Sequence, residues 1–236
     1  MKKMIATLAA LAILGVLAPT IYADTFLIDD FSMPIVGQTI TVTGTGSQTS
    51  TINSLTGVVG NTRTMNINVT SSAYGYSSTL KTSPLAGGTL ELGNEGGQNG
   101  VGTITWDAGG AGLGGIDITN GGLLPYFQAK MLSSDQTDIF RVDITDSSGH
   151  TAYWTSNLGT GPNAINQLLS SFTNPNAADF TSVDKIMVTL SSLNLAQDTV
   201  MDTVEVTNTP VPEPATMTLL ALGGFSVFMA RRRRKV

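Results

Sequence analysis

The strongest constraint on the fold of this chain is a period of two. Between Arg63 and Thr70, Met65, Ile67 and Val69 alternate with Asn66 and Asn68. That spacing puts apolar side chains on one face of a strand and polar ones on the other. The firmest instance is a hairpin. Along Asp138 to Asp146, Ile139, Arg141, Asp143 and Thr145 share one face and Phe140, Val142 and Ile144 the other; Asp146-Ser147-Ser148-Gly149 then turns the chain into His150 to Ser156. The aspartate bonds the turn's backbone and the glycine tolerates positive φ. Similar runs mark Thr25 to Phe31, Gln38 to Thr43, Thr89 to Leu92, Val101 to Asp107, Gly115 to Thr119, Pro125 to Leu132, Lys185 to Leu190 and Asp198 to Thr207. Gly44 to Gly60 reads as loop or as a weak edge hairpin. Asn163 to Phe172 reads as one short helix, with Ile165, Leu168 and Leu169 at helical spacing, or nearly as well as a strand. About ten strands without β–α–β alternation predict an all-β domain, a β-sandwich or jelly roll.

Both ends of the chain fall outside that pattern. Met1-Lys2-Lys3 is a basic start, Met4 to Ala18 an apolar run, Pro19 a breaker, and Ile21-Tyr22-Ala23 a small-residue site before Asp24. This is the layout of a secretory signal peptide, residues 1–23, cut after Ala23. At the other end, Val211-Pro212-Glu213-Pro214 precedes sixteen uncharged residues, 215–230, and then Arg231, Arg232, Arg233, Arg234 and Lys235. The prolines fix φ and remove backbone donors, which keeps the tetrapeptide extended and accessible. At ~1.5 Å per helical residue the apolar run covers about 24 Å, short of the ~30 Å hydrocarbon core. Snorkelling arginines and local thinning make up the difference for a short transmembrane-like helix. The cation block reads as cytoplasmic. Three parts follow: 1–23 signal peptide, 24–210 exported domain, 211–236 tail.

The tail, VPEP then an apolar helix then an arginine cluster, resembles the PEP-CTERM sorting signal of Gram-negative bacteria. The resemblance implies passage through the Sec translocon and a membrane intermediate held by the C-terminal helix. It further implies recognition by an exosortase, cleavage near Pro-Glu-Pro, and delivery to the cell surface or an exopolysaccharide matrix. Val211, Pro212, Glu213, Pro214 and Arg231 to Arg234 are the residues on which it rests. An ordinary C-terminal membrane anchor is the competing reading.

Charge narrows the partners. Residues 24–214 hold all seventeen acids against Arg63, Lys81, Lys130, Arg141 and Lys185, a net charge of −12. Nothing there supplies the cations that phosphate neutralisation requires, so no nucleic acid partner is expected. The absence of cysteine excludes a disulfide framework and thiol chemistry, leaving the core or a bound ion to stabilise the domain. A second, shorter resemblance lies in Leu27-Ile28-Asp29-Asp30-Phe31, in Ala178 to Ile186 and in Asp198 to Val206, which look like the first and last strands of a galactose-binding, carbohydrate-binding-module jelly roll.

Few motifs carry chemistry. Gly110 to Gly115 satisfies GxGxxG, but strand and turn follow it where a dinucleotide site needs a helix, so it reads as a flexible loop. His150, the one histidine, sits at a turn exit with no nucleophile elbow to pair with. Asp30 shares a face with Phe26 and Ile28, and Asp202 stands in phase with Val200, Val204 and Val206. Buried carboxylates need a partner or a metal, so these two are candidates for a structural calcium site, with hydrogen bonding at a strand end as the simpler reading. Tyr74 and Tyr76, two rings on one strand face in a Ser/Gly-rich setting, are candidate glycan contacts. The expectation is a non-catalytic structural or adhesive protein of the exopolysaccharide layer that binds glycan. The alternative is a secreted glycan hydrolase using two carboxylates.

Overall fold

The computed structural model describes residues 24–208, apart from 85–86, 176–177, 193–195 and 197. The signal peptide with Ala23 and the sorting tail 211–236 lie outside the described residues. Thirteen strands are described: β1 (Thr25–Asp29), β2 (Thr39–Thr43), β3 (Gly46–Asn53), β4 (Thr62–Ser72), β5 (Ser77–Thr82), β6 (Leu90–Asn94), β7 (Gln98–Trp106), β8 (Tyr126–Ser134), β9 (Asp138–Asp146), β10 (Thr151–Leu158), β11 (Asn163–Leu168), β12 (Val183–Ser192) and β13 (Asp198–Thr207). One sheet runs β11-β8-β13-β6-β5-β2, with β1 also paired to β13; the other runs β10-β9-β12-β7-β4-β3. Every named pairing is antiparallel. The domain is a β-sandwich.

Alternation places the core. Met65, Ile67, Ile104, Trp106, Phe140, Val142, Ile186 and Val188 face inward from one sheet, and Leu80, Leu90, Leu92, Phe127, Ala129, Met201 and Val204 from the other, all buried. Phe127 and Phe140 meet across the two layers, ring centroids 6.3 Å apart. The outward rows are mostly hydroxyl and amide. Thr49, Asn66, Thr103, Thr189, Arg141 and Thr155 line up across all six strands of the second sheet.

Two alternatives left open by the sequence are decided, and other expectations change. Residues 163–172 form strand β11 and a short 3-10 turn, Leu169–Ser171, not a helix. Ile165 and Leu169 are buried while Leu168 is 40% exposed, so the three never share a helical face. Gly44 to Gly60 contains the edge strand β3, whose Thr51 hydroxyl pairs with Thr64 at 3.0 Å. Gly115 to Thr119 is a single bridge, Ile116 to Val183, followed by a turn. Strand β5 has no apolar alternation to announce it, since Leu80 is its one large apolar residue. The sandwich closes on its own ends: Thr25 pairs with Thr207, Asp24 N donates to Asn208 Oδ1 at 3.1 Å, and Asn208 N donates to Asp24 O at 3.2 Å.

Candidate functional site

The most tightly built polar centre is buried. A register shift in β1 between Leu27 and Asp29 turns Asp29 inward, where it and Arg63 are both fully buried. Arg63 Nη1 donates to both carboxylate oxygens, at 3.0 and 2.8 Å. Trp106 Nε1 donates to Oδ2 at 2.9 Å and Phe31 N to Oδ1 at 2.8 Å. The guanidinium also reaches Gln38 Oε1 and the Met33 carbonyl, and it lies 5.5 Å from the centroid of the Phe31 ring. Burial pushes the Asp29 carboxyl up from its ordinary value, against the pull of Arg63, Trp106 and the Phe31 amide. No substrate reaches this centre; it joins β1, β4, β7 and the loop after β1. One signal was in the sequence: Arg63 is in phase with Met65, Ile67 and Val69, a cation in a core-facing row.

The same local geometry revises the calcium expectation. Asp30 is half-buried and accepts from Ser32 N and Ser32 Oγ, at 3.0 and 2.6 Å. Asp202 sits at a register shift between Met201 and Thr203, out of the core row, and pairs with Lys130. The bulges in β1 and β13 break the phase on which the two-carboxylate reading depended, and each acid has a partner of its own. Among the described residues no group of three or more Asp, Glu or His is placed to hold a metal ion.

Tyr74 and Tyr76 lie in the turn between β4 and β5, not on a strand. The two residues are 88% and 46% exposed, and their rings stand 5.9 Å apart at 58°. Tyr74 holds φ at 78°, a left-handed conformation that costs roughly 1–2 kcal/mol for a non-glycine residue. The Tyr76 carbonyl is fixed from below by Gln98 Nε2 and by Gly44 N at 2.9 Å.

Beside them, the outer face of the first sheet is hollow. Gly93 in β6 pairs with Thr79 and Asp198, and its missing side chain leaves an open trough of about 530 Å³ bounded by Ser77, Thr79, Lys81, Glu91, Glu95 and Asp198. Ser77, the residue after Tyr76, is pinned to Glu95 Oε2 at 2.8 Å, so the tyrosine pair stands at one end of the trough. Lys81 and Glu91 are paired at 2.8 Å. Burial raises Glu91, but hydrogen bonds from Lys81, Ser83 and Thr89 outweigh it and hold the carboxyl below its usual range. Burial, with Asp135 and Glu91 nearby, lifts Asp198. Hydroxyls, one cation and three acids around an open channel suit a polyhydroxylated ligand better than a phosphorylated one.

Behind the trough, Asp138 is fully buried. Its Oδ2 accepts from Thr199 Oγ1 and from Ser134 Oγ at 3.3 Å, while Oδ1 accepts no hydrogen bond among the described residues. Burial pushes this carboxyl up to about 6, with Asp135 adding to the rise and the two hydroxyls opposing it. His150 belongs to a turn instead: its Nδ1 is 3.3 Å from Asp146 Oδ2, and Asp146 also accepts from Ser148 N and Asp179 N. The Gly110–Gly115 loop folds against Asp184, which accepts from Gly114 N at 3.1 Å.

Beyond the described domain, residues 210–234 match the family model of the PEP-CTERM protein-sorting motif. The chain carries a PEP-CTERM sorting signal. A PEP-CTERM signal marks a chain for export through a membrane-anchored intermediate and for processing by an exosortase. A search of curated proteins finds no sequence match. Among solved structures the chain is similar to the family 11 carbohydrate-binding module from Clostridium thermocellum in complex with a β-1,3-1,4-mixed-linked tetrasaccharide. The identity is 13%, covering 78% of this chain and 94% of that one, with a TM-score of 0.41. The family 11 module of a cellulosomal cellulase of the same organism gives 13% identity, the same coverage and a TM-score of 0.40. An exo-β-agarase gives 12% identity over 70% of this chain and 23% of its own, with a TM-score of 0.38.

Proposed function

We propose that this PEP-CTERM protein is a non-catalytic surface or exopolysaccharide-matrix component that holds glycan in the trough over Gly93, with Tyr74 and Tyr76 stacking on sugar at its end. The sorting half of the reading rests on the motif at residues 210–234. The binding half is supported by a channel lined by hydroxyls and charged groups on the outer face of the sheet, with two exposed rings beside it. The signal peptide is removed at Ala23 and the tail by a cut near Pro-Glu-Pro. Mass spectrometry of the surface-exposed protein is expected to find a C-terminus upstream of the arginine cluster; intact Arg231 to Arg234 on that protein would sink the sorting account.

Binding is tested on the polysaccharide of the producing cell. Gly93→Val fills the floor of the trough, where a Cβ would lie 3.1 Å from Asp198 Oδ1. It is expected to weaken retention about tenfold, the equivalent of ~1.4 kcal/mol, while the β-branched residue suits a strand. Unchanged retention would place the ligand elsewhere.

A hydrolase is the second reading, and one observation favours it. Glu91 and Asp198 line one trough with their proton affinities driven in opposite directions, the pattern of a base and an acid working together. Cleavage of the retained glycan, abolished in both Glu91→Gln and Asp198→Asn, is the result that would replace binding with hydrolysis.

A further inference from the structure

One end of the sandwich gathers both ends of the domain. Thr207 closes β13 beside Thr25 of β1 and Tyr126 of β8, and Tyr126 pairs with Leu168 at the end of β11. Four neighbouring strands thus end within about 15 Å of one another. The loop before β8 folds over the same place, since Asn120 Nδ2 donates to Asp24 Oδ2 at 3.1 Å and Leu124 N to Thr119 O at 2.8 Å. This end exposes large apolar side chains: Leu123 is 65% exposed and Leu168 40%. The tyrosine pair lies at the opposite end, where Asp198 starts β13 beside Gly93 and Asn94 pairs with Ser78.

The chain beyond Asn208 sets what these leucines meet. Only residues 209–214 separate it from the uncharged run 215–230, a reach of at most about 20 Å. A domain of this length has a radius of gyration of roughly 16 Å, so it is wider than its tether is long. With the apolar run in a bilayer, the tether cannot pass around the domain to bring another side to the lipid.

We propose that this end of the sandwich rests on the membrane surface while the tail is inserted, with Leu123 and Leu168 entering the headgroup region and the trough end held outward. The proposal depends on the membrane-anchored intermediate described above. Asp24 and Asp117, the acids nearest the two leucines, are occupied by Asn120 and by the N–H groups of Thr119 and Gly121. The second sheet brings Asp146, Asp179 and Asp184 to the same end, and no basic residue lies between 117 and 126. The matching surface is therefore zwitterionic lipid. Docking the exit this way sets the Pro-Glu-Pro segment close to the bilayer plane, where a membrane-embedded processing enzyme would meet it.

The test uses the chain freed of its signal peptide, residues 24–236, which has no native cysteine. Leu123→Cys, Leu168→Cys and, as the far-end control, Tyr74→Cys each carry a nitroxide after reconstitution into phosphatidylcholine–phosphatidylethanolamine vesicles. Flotation first establishes insertion. Labels at 123 and 168 are expected to be about threefold less accessible to a water-soluble paramagnetic reagent than the label at 74, as for side chains seated in an interface. Equal accessibility at the three positions in floating vesicles overturns the docking proposal alone. Failure to float overturns the anchored intermediate with it.

Discussion

Replacing Arg63 with methionine is expected to lower the thermal unfolding midpoint of the domain by about 10 °C, followed by circular dichroism near pH 7. The reason is the charge left behind. Asp29 is fully buried, and its carboxylate is held by Arg63 Nη1, Trp106 Nε1 and Phe31 N. Without the guanidinium it becomes an uncompensated charge in the core, a defect worth about 3–5 kcal/mol, and each kilocalorie shifts the midpoint of a domain this size by roughly 2–4 °C. The double variant Asp29→Asn with Arg63→Met is expected to recover part of the loss, because it removes the stranded charge and leaves an amide for Trp106 to donate to. A single Arg63→Met variant as stable as the parent would show that the pair contributes nothing net. The pair still has a positional role. It ties the loop after β1, through Met33 and Gln38, to β4 and β7, and so seals the core beside the first strand.

Asp138 gives the second large effect, and its sign differs. Its carboxyl is pushed from 3.8 to about 6 in the folded protein, so the native state binds its proton more tightly than the unfolded chain. The stability this proton contributes is fully present below about pH 4, declines as pH rises towards 6, and is absent above it. Above pH 6 the ionised group is a buried charge whose Oδ1 has no hydrogen-bond partner among the described residues, with Asp135 nearby. Asp138→Asn keeps the shape and removes the charge. It is expected to raise the unfolding midpoint at pH 7.5 by about 5 °C, equivalent to roughly 2 kcal/mol, and to leave it nearly unchanged at pH 4. Parallel pH profiles for parent and variant would show that Asp138 ionises as an exposed carboxyl does.

The contrast between these two acids shows where sequence reading stops. Asp29 and Asp30 are neighbours of equal chemistry, and simple alternation from Phe26 and Ile28 selects Asp30 for the core. A one-residue bulge inverts that choice, and nothing local in Thr25 to Phe31 announces it, because the bulge is set by how β1 meets β13. The same holds at Asp202, which a second shift in β13 turns towards Lys130. Arg63 was legible in principle, since it continues the row of Met65, Ile67 and Val69, but its partner is thirty-four residues earlier in the chain. The trough was not legible at all. It is an absence, Gly93, which matters only because Thr79 and Asp198 flank it in two neighbouring strands.

By itself the sequence determined what local chemistry can express: an all-β domain built on alternation, the hairpin from Asp138 onward, and a sorting signal at the C-terminus whose meaning lies in the order of its parts. A linear signal is read by its receptor as a linear object, so it needs no fold to be recognised. The tertiary structure alone decided which carboxylates are buried, where the exposed rings stand, and that the first and last strands pair to bring residues 24 and 208 to one end. These are long-range pairings, and a side chain's burial, partner and proton affinity depend on strands that approach only when the two sheets close.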